Sequence, residues 1–373
     1  MSDNIRNPFI PGFGKEPREF AGRTEIITDI TYALDYAPDD PAATSLLIGP
    51  RGTGKTALLT YLSNYAKANG FVSVNVTCID GMNEEIHNQL LKSAEHLIDS
   101  EVLTEIKSIK VEVGRIIGTE VGLKKNEQGN HSWRVLMEDI IDKLNEKGVG
   151  VLFTIDEVNP KIKDMIEFAA NYQHFVRDEK KVALIMAGLP SYVSLLLSDE
   201  HVSFLRRAAQ YILGPIDDYE VSDAFEKTLR LSEKNIDDDA LDLAVKEIKG
   251  FPFLFQLVGY RTWREAENKD VISIADVKKG VELATQDMIN RVIISSIKEI
   301  PKGAKHLLYE MAKEGECAKI SDIAKREGKK VGFYARYRKI LVELGLIEQV
   351  ERGTLKFSLP LLKEYILSDL DDD

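Results

Sequence analysis

Short apolar runs alternate with helical periodicities through the first half of the chain. Apolar residues recur at helical spacing from 23 to 36 and predict a first helix. Runs rich in β-branched or apolar residues follow, separated by segments with helical spacing. The predicted strands are 44–48, 71–77, 148–155, 182–187 and 211–213, and the predicted helices are 55–69, 84–98, 133–145 and 162–177. This alternation predicts an α/β fold with a parallel sheet covered on both faces.

Two segments depart from this alternation. Residues 1–20 are rich in Pro and Gly, so we expect an extended leader. Residues 100–130 interrupt the strand and helix order. Within them, 109–121 (IKVEVGRIIGTEV) predicts a hairpin bent at glycine, and a polar stretch follows over 124–130. We interpret this segment as an insertion, either an extra edge hairpin or an element with a role of its own.

The pattern changes after residue 216. Helical spacing alone continues to about 291 and predicts a helical lid over 217–295. The remainder, 296–373, predicts helices at 304–314, 320–326 and 331–344, then strands at 346–350 and 355–358 around a turn. Three helices followed by a hairpin is the order of a winged helix. The sequence therefore predicts three domains, with the α/β core in residues 1–216.

Composition and charge narrow the class of protein. The 373 residues carry a net charge of −12, which argues against a general coat on nucleic acid. Residues 301–357 nevertheless hold 13 Lys or Arg and 8 Asp or Glu, a net charge of +5. Cys78 and Cys317 lie far apart and outside any Cys-x-x-Cys pair, which predicts a reducing cytoplasm and no structural zinc. Neither a membrane-spanning run nor a signal-peptide pattern is present in the sequence, so we expect no membrane partner.

A phosphate-binding motif follows the first predicted strand. It fits G-x-x-x-x-G-K-[ST] at every fixed position and opens a helix. The predicted cofactor-binding residues here are Gly49, Pro50, Arg51, Gly52, Thr53, Gly54, Lys55, Thr56 and Ala57. Glycines allow the tight turn in which backbone N–H groups converge on an anion, and the helix N-terminus adds partial positive charge. We expect Lys55 to bridge the β- and γ-phosphates of ATP, and Thr56 to ligate Mg²⁺.

A second acidic motif ends the predicted strand 148–155. Asp156 and Glu157 follow this strand, whose carboxyl end is expected at the same edge of the sheet as that of the strand before the phosphate loop. Asp156 is predicted to hold Mg²⁺, directly or through water. Glu157 is predicted to polarise the attacking water, which favours hydrolysis over binding alone.

These motifs resemble those of the AAA+/STAND group of P-loop ATPases, near the archaeal-type ATPases and the origin-recognition initiators. Phe20-Ala21-Gly22-Arg23 is similar to a box that helps to cradle the base in such families, which implies a cofactor role for Gly22 and Arg23. The leader from Asn7 onwards is similar to that of bacterial ATP-binding relatives. Gly250-Phe251-Pro252 is similar to the GxP motif of STAND lids, which implies that Pro252 senses nucleotide.

The chain departs from that family pattern at three places. Only Ser191 is available as a polar sensor after the strand 182–187, and it comes late. Arg261 follows the GxP motif, but it matches the lid arginine of the initiators only loosely. Arg206 and Arg207 are either arginine fingers toward a neighbouring subunit, which would stabilise charge on the transferred phosphoryl group, or ordinary surface arginines. The missing sensor and lid arginine imply slow turnover.

Cations and aromatic side chains mark the third helix of the predicted winged helix. The candidate DNA-contacting residues are Lys329, Lys330, Arg336, Arg338 and Lys339, with Arg352 and Lys356 near the hairpin turn. Such a cluster suits phosphates of double-stranded DNA, and Arg or Tyr side chains reach base edges. A winged helix that docks a protein instead is the alternative, in which Tyr334 and Tyr337 belong to the core.

We therefore expect a slow, Mg²⁺-dependent ATPase that acts as a nucleotide-controlled switch on DNA through its winged helix. A STAND-type signalling ATPase, which forms homo-oligomers or binds a protein partner on ATP, is the main alternative. A DNA-loading initiator is a third.

Overall fold

The computed structural model describes residues 6–12, 14–98 and 128–369, and these form two compact units. The sheet unit comprises Glu25–Ile48 and Leu58–Ile212. The lid unit comprises the described residues of Met1–Thr24, Gly49–Ala57 and Leu213–Asp373. The phosphate loop thus belongs to the same unit as the leader, the lid and the C-terminal region. The predicted hairpin over 109–121 lies outside the described residues.

The sheet unit is built on five parallel strands in the order β2-β3-β4-β1-β5. These strands are β1 Thr44–Ile48, β2 Phe71–Thr77, β3 Gly150–Asp156, β4 Val182–Gly188 and β5 Ala209–Ile212. The helices that accompany them are α1 Thr24–Asp35, α2 Lys55–Ala68, α3 Met82–Ala94, α4 Gln128–Glu146, α5 Lys163–Arg177 and α6 Pro190–Ser198. The α/β prediction is confirmed.

Burial explains why the central strands were predictable. Every residue of β4 is buried, and only the last residue of β3 is not, so both read as continuous apolar runs. The prediction of a last strand at 211–213 is wrong in its bounds. β5 ends at Ile212, where its pairing with Ile48 ends, and it includes the less apolar Ala209 and Gln210 because it is an edge strand exposed at alternate residues.

Helices dominate the lid, residues 217–295. They are α7 Asp218–Arg230, α8 Asp238–Ile248, α9 Pro252–Glu265, α10 Ile274–Met288 and α11 Ile294–Ile297, with a π-helical turn at Ile289–Ile293. The prediction that this region is entirely helical is wrong at one point. Asn235–Ile236 (β6) pairs in parallel with Val271–Ile272 (β7). Two residues a strand are too few to give a period-2 signal in the sequence.

The C-terminal region has winged-helix topology, as predicted. Its helices are α12 Lys302–Glu314, α13 Ile320–Arg326, α14 Ala335–Glu343 and α15 Leu362–Asp369, and its strands are β8 Cys317–Lys319, β9 Ile347–Glu351 and β10 Thr354–Phe357. The strands form an antiparallel sheet in the order β8-β10-β9. The first turn of the predicted third helix is 3₁₀ (Val331–Tyr334). The sequence did not reveal β8, in which only Ala318 is buried.

One hydrophobic core runs through the lid and the winged helix without a break. It includes Phe225 and Leu257 in the lid, Ile297 in α11, and Leu307 and Leu341 in the winged helix. Lys249 and Glu364 add a surface ion pair of 3.1 Å between the two regions. A continuous close-packed core resists independent motion of its parts. The lid and the winged helix therefore share one core.

The leader is fastened to helix α9. The Phe9 ring is 2% exposed and packs against the rings of Phe225 and Phe255, with centroid separations of 5.0 and 5.7 Å. The amide of Asn7 donates to the carbonyl oxygen of Tyr260 at 3.0 Å. Ile10 N–H donates to the side-chain oxygen of Gln256 at 2.7 Å. The leader is therefore part of the folded lid unit.

None of the helices in the described part of the chain has both the length and the apolar composition that crossing a bilayer requires.

Truncation of Phe9 tests whether the leader stabilises the lid unit. Each unit contains one of the two tryptophans, Trp133 in the sheet unit and Trp263 in the lid unit, so Trp133→Phe leaves a reporter of the lid unit alone. In that background we expect Phe9→Ala to lower the free energy of unfolding by about 3–5 kcal/mol, because a buried ring is lost. Urea titration of Trp263 fluorescence measures it. Tyr219→Ala, at a ring 80% exposed, is the control; equal effects of the two would contradict the assignment.

Candidate functional site

The phosphate loop has the backbone that anion binding requires. Gly52 and Gly54 have φ values of +79° and +87°, which side-chain-bearing residues rarely adopt. Thr53 is buried, and its hydroxyl donates to the carbonyl oxygen of Pro50 at 2.9 Å. Helix α2 begins at Lys55, so the loop ends at a helix N-terminus, whose first N–H groups are not used by the hydrogen bonds of the helix itself.

The Lys55 ammonium group lies inside this loop. Lys55 is only 6% exposed. The Nζ atom donates to the carbonyl oxygens of Gly49 and Pro50 at 2.8 and 2.7 Å. A buried ammonium group needs such partners, because an isolated charge is costly to remove from water. The predicted phosphate-binding lysine is therefore held at the centre of the loop.

The predicted nucleotide-sensing motif of the lid lies directly on the phosphate loop. A Cβ atom placed on Gly52 would be 2.5 Å from the Phe251 ring, and one on Gly54 would be 3.7 Å from Pro252. The N–H of Phe253 donates to the carbonyl oxygen of Gly52 at 3.3 Å. Gly250, with φ of +67°, accepts from the N–H of Ile216 at 2.8 Å. Pro252 is the first residue of α9, where its missing N–H costs no hydrogen bond.

The Gly22 and Arg23 box packs on the start of the lid. Gly22 has φ of +61°, and an added Cβ would lie 2.7 Å from the Ile216 side chain. The Arg23 guanidinium group donates to the carbonyl oxygen of Gly214 at 2.8 Å. Burial lowers the pKa of this guanidinium, and the nearby carboxylate of Glu220 opposes the shift. Arg23 therefore joins the leader to the segment that enters the lid.

The acidic motif lies at the end of β3 in the sheet unit. Strand β3 is separated from β1 by β4 alone, and because all three are parallel their carboxyl ends share one edge. Asp156 Oδ1 accepts from the N–H of Glu157 at 2.8 Å. Glu157 is exposed and has φ of +54°, an unusual value for a residue with a side chain. Such strain is common at functional sites.

The other predicted catalytic or sensing residues have these environments. Arg206 and Arg207 are exposed at the end of the 3₁₀ segment Glu200–Arg207, and Arg206 Nε donates to the carbonyl oxygen of Leu197 at 2.7 Å. Ser191 lies in the first turn of α6 and is half-buried. Arg261 forms a 2.7 Å ion pair with Asp287 of α10. Arg261 is thus committed within the lid, whereas the finger role of Arg206 and Arg207 remains a prediction.

The predicted DNA-contacting residues surround the start of α14. Lys329 is engaged with its own domain, since its Nζ lies 2.8 Å from Glu327 and 4.6 Å from the centroid of the Phe333 ring. The side chains of the other four make no ion pair or hydrogen bond within the described residues, and they are Lys330, Arg336, Arg338 and Lys339. Tyr334 is fully buried, as the core alternative for that residue requires.

Sequence reasoning did not identify the contact that Phe251 makes with the loop. The residue was noted only as the variable position of Gly250-Phe251-Pro252. Nor did it identify Phe9 as an anchor for α9. Both contacts join positions more than 190 residues apart, and one sequence carries no signal for such pairings. The available clue in the sequence was the presence of glycine at Gly52 and Gly250. Glycine is common where the backbone needs a positive φ or where another group approaches it closely.

Comparisons with known proteins agree with this architecture. Residues 39–196 match the family model described as AAA domain, and residues 291–366 match one described as a domain of unknown function (DUF8462). No curated protein matches the sequence with significance.

Two solved structures are similar over nearly the whole chain. The Walker-type ATPase PABY2304 of Pyrococcus abyssi is 16% identical, covers 96% of this chain and 99% of its own, and has a TM-score of 0.66. The ORC2 protein of Aeropyrum pernix, in its ADPNP–ADP complexes, is 15% identical, covers 97% and 98%, and has a TM-score of 0.57. At these identities the likeness shows the fold alone. Residues 39–196 of this chain therefore resemble an AAA domain of the P-loop ATPase class.

Proposed function

We propose that this protein is a slow, Mg²⁺-dependent ATPase and a nucleotide-controlled switch that acts on double-stranded DNA through its winged helix. The observation that carries the proposal is the packing of Phe251 and Pro252 on Gly52 and Gly54. A loop that binds phosphate and also touches the lid couples nucleotide occupancy to the lid. In this proposal the winged helix follows, because it shares the core of the lid.

Nucleotide binding begins with an exchange of partners at Lys55. Its ammonium group turns from the carbonyl oxygens of Gly49 and Pro50 to the β- and γ-phosphates, while the N–H groups of the loop and of the α2 N-terminus donate to phosphate oxygens. The carbonyl oxygens that Lys55 leaves need new partners or solvent. The loop backbone therefore adjusts when phosphate binds, and the contact with Phe251 conveys that adjustment.

We assign Mg²⁺ binding and hydrolysis to side chains that carry a hydroxyl or a carboxylate group. Mg²⁺ prefers oxygen ligands and keeps several waters, which suits one hydroxyl from Thr56 and one carboxylate from Asp156. Glu157 orients and polarises the attacking water, and its exposure gives that water access to the carboxylate. Mg²⁺, when bound, neutralises charge that develops on the phosphates.

The proposal that the protein binds DNA rests on the four cations around α14 whose side chains lack partners within the described residues. They carry positive charge on a chain whose net charge is −12. A STAND-type signalling ATPase is the second candidate, in which a neighbouring subunit receives Arg206 and Arg207. The exposure of both arginines favours it. Sedimentation in ATP, ADP and no nucleotide separates the two, because only the second requires ATP-dependent assembly.

Removal of the lysine tests ATP binding. We expect Lys55→Ala to weaken Mg-ATP binding by about two orders of magnitude or more, since a buried charge that contacts phosphate is lost. Isothermal titration calorimetry measures it. Lys67→Ala, at an exposed lysine in the last turn of the same helix, should bind as the parent does. Unchanged binding in Lys55→Ala would refute the assignment.

Neutralisation of Glu157 tests hydrolysis separately. Glu157→Gln should retain ATP affinity and lower kcat by roughly 100-fold or more, because the water loses its general base. The matched control is Glu179→Gln, an exposed glutamate with nearly the same backbone, φ of 56°. Phosphate release is the measurement. Equal turnover in both variants would remove Glu157 from the mechanism.

Substitution of Gly52 tests the contact with the lid. Gly52→Ala adds a methyl group where the Phe251 ring lies, so it should both weaken ATP binding and shift the unfolding of the lid unit. Gly353→Ala, also in the lid unit and with φ of +83°, introduces comparable positive-φ strain, about 1–2 kcal/mol, with no atom within 4 Å of the new methyl group. Calorimetry and Trp263 fluorescence report the two effects. If both variants behaved alike, strain alone would explain Gly52.

A further inference from the structure

The third helical segment of the winged helix begins with two exposed apolar side chains, Val331 and Phe333, called here the apolar tip. Val331 and Phe333, on either side of Gly332, are 52% and 49% exposed. Both belong to the 3₁₀ turn that precedes α14. The neighbouring Tyr334 is fully buried, so the tip is an exposed part of a well-packed domain. Two neighbouring apolar side chains exposed beside a cationic surface mark a candidate contact site for a ligand.

The Phe333 ring is held in place by three neighbours. It packs edge-to-face on Tyr334 and Tyr337, at centroid separations of 5.2 and 5.9 Å. Lys329 lies over it at 4.6 Å and is itself paired with Glu327. A ring restrained in this way loses little conformational entropy when it binds a ligand. The tip is therefore preorganised.

The charges around the tip favour a nucleic acid as its ligand. Lys330 precedes Val331, and Arg336 follows in the first turn of α14; both are exposed, and neither side chain has a partner within the described residues. These cations suit phosphates. In helix-turn-helix domains the N-terminal residues of the recognition helix contact base edges in the major groove. The residues at that position here include Val331 and Phe333, which have no hydrogen-bonding side-chain group.

The chemistry of the major groove leaves one apolar feature for such side chains. Its edges present hydrogen-bond donors and acceptors at every base pair, and the C5-methyl group of thymine is the apolar exception. A polar base edge that faced Val331 or Phe333 would lose water without gaining a hydrogen bond. We propose that Val331 and Phe333 read thymine methyl groups and give the winged helix a preference for thymine-containing duplexes. This inference rests on the proposed binding of DNA by the winged helix and adds a base preference to it.

Replacement of thymine by deoxyuridine tests this inference, because it removes the methyl group and keeps base pairing. The probes are a fluorescent A·T-rich duplex of about two helical turns and the same duplex with deoxyuridine throughout. We expect the full-length protein to bind the thymine duplex about fourfold more tightly for each methyl group contacted. A G·C duplex should likewise gain affinity when its cytosines carry 5-methyl groups, since these occupy the same position in the groove.

Two variants separate the apolar contribution to DNA affinity from the ionic contribution. In Phe333→Ala the ratio of thymine to deoxyuridine affinity should fall toward one. In Lys330→Ala both affinities should fall equally, the ratio should persist, and the dependence of log K on log salt should decrease by about one. Both side chains are exposed, and circular dichroism checks the fold of each variant.

A ratio of one in the parent protein, with duplex binding that depends on salt, would overturn the thymine inference and leave the proposed binding of DNA in place. No binding to any duplex at low salt, with ATP, ADP or neither, would overturn both. In that case ATP binding, measured by calorimetry on the same sample, would still report on the nucleotide site.

Discussion

The edge of one aromatic ring occupies the space where a side chain at Gly52 would be. This close approach of Phe251 is possible because Gly52 has no Cβ atom and adopts a positive φ, and the Phe253 N–H reinforces it through the Gly52 carbonyl oxygen. The conformation of the predicted phosphate-binding loop is therefore the conformation against which the lid packs. A change in one requires a change in the other, since close-packed contacts do not deform continuously.

The hydrophobic core of the lid connects the contact at Gly52 to the winged helix. Phe251 belongs to the same hydrophobic cluster as the buried residues of the winged helix, and Phe9 of the leader lies within it as well. The leader reaches the loop too, for a Cβ on Gly14 would lie 3.3 Å from the Thr56 side chain. The phosphate loop is thus in contact with two segments that share one core. This arrangement would connect the proposed nucleotide site physically to the proposed DNA-binding surface.

Much of the fold could be predicted from the sequence because its signals are local. Several features can be recognised from a few consecutive residues. They are the buried strands β3 and β4, the phosphate motif and the helices of the winged helix. Four other strands gave weaker signals. The bounds predicted for β5 were wrong because it is exposed at alternate residues, β8 was missed because only its middle residue is buried, and β6 and β7 were missed because they span two residues each. The predicted phosphate-binding residues follow from a motif, whereas the contact of Phe251 with the loop does not. Phe251 acts across the chain, and its type alone does not distinguish it from any core phenylalanine.

Hydrogen–deuterium exchange with and without Mg-ATP tests the central claim most directly. If nucleotide occupancy is transmitted through Phe251, exchange in α9 (Pro252–Glu265) should change together with exchange in the phosphate loop, and Phe251→Ala should separate the two while ATP still binds. Protection of the loop alone in the parent protein, with identical exchange throughout the lid and the winged helix, would contradict the account.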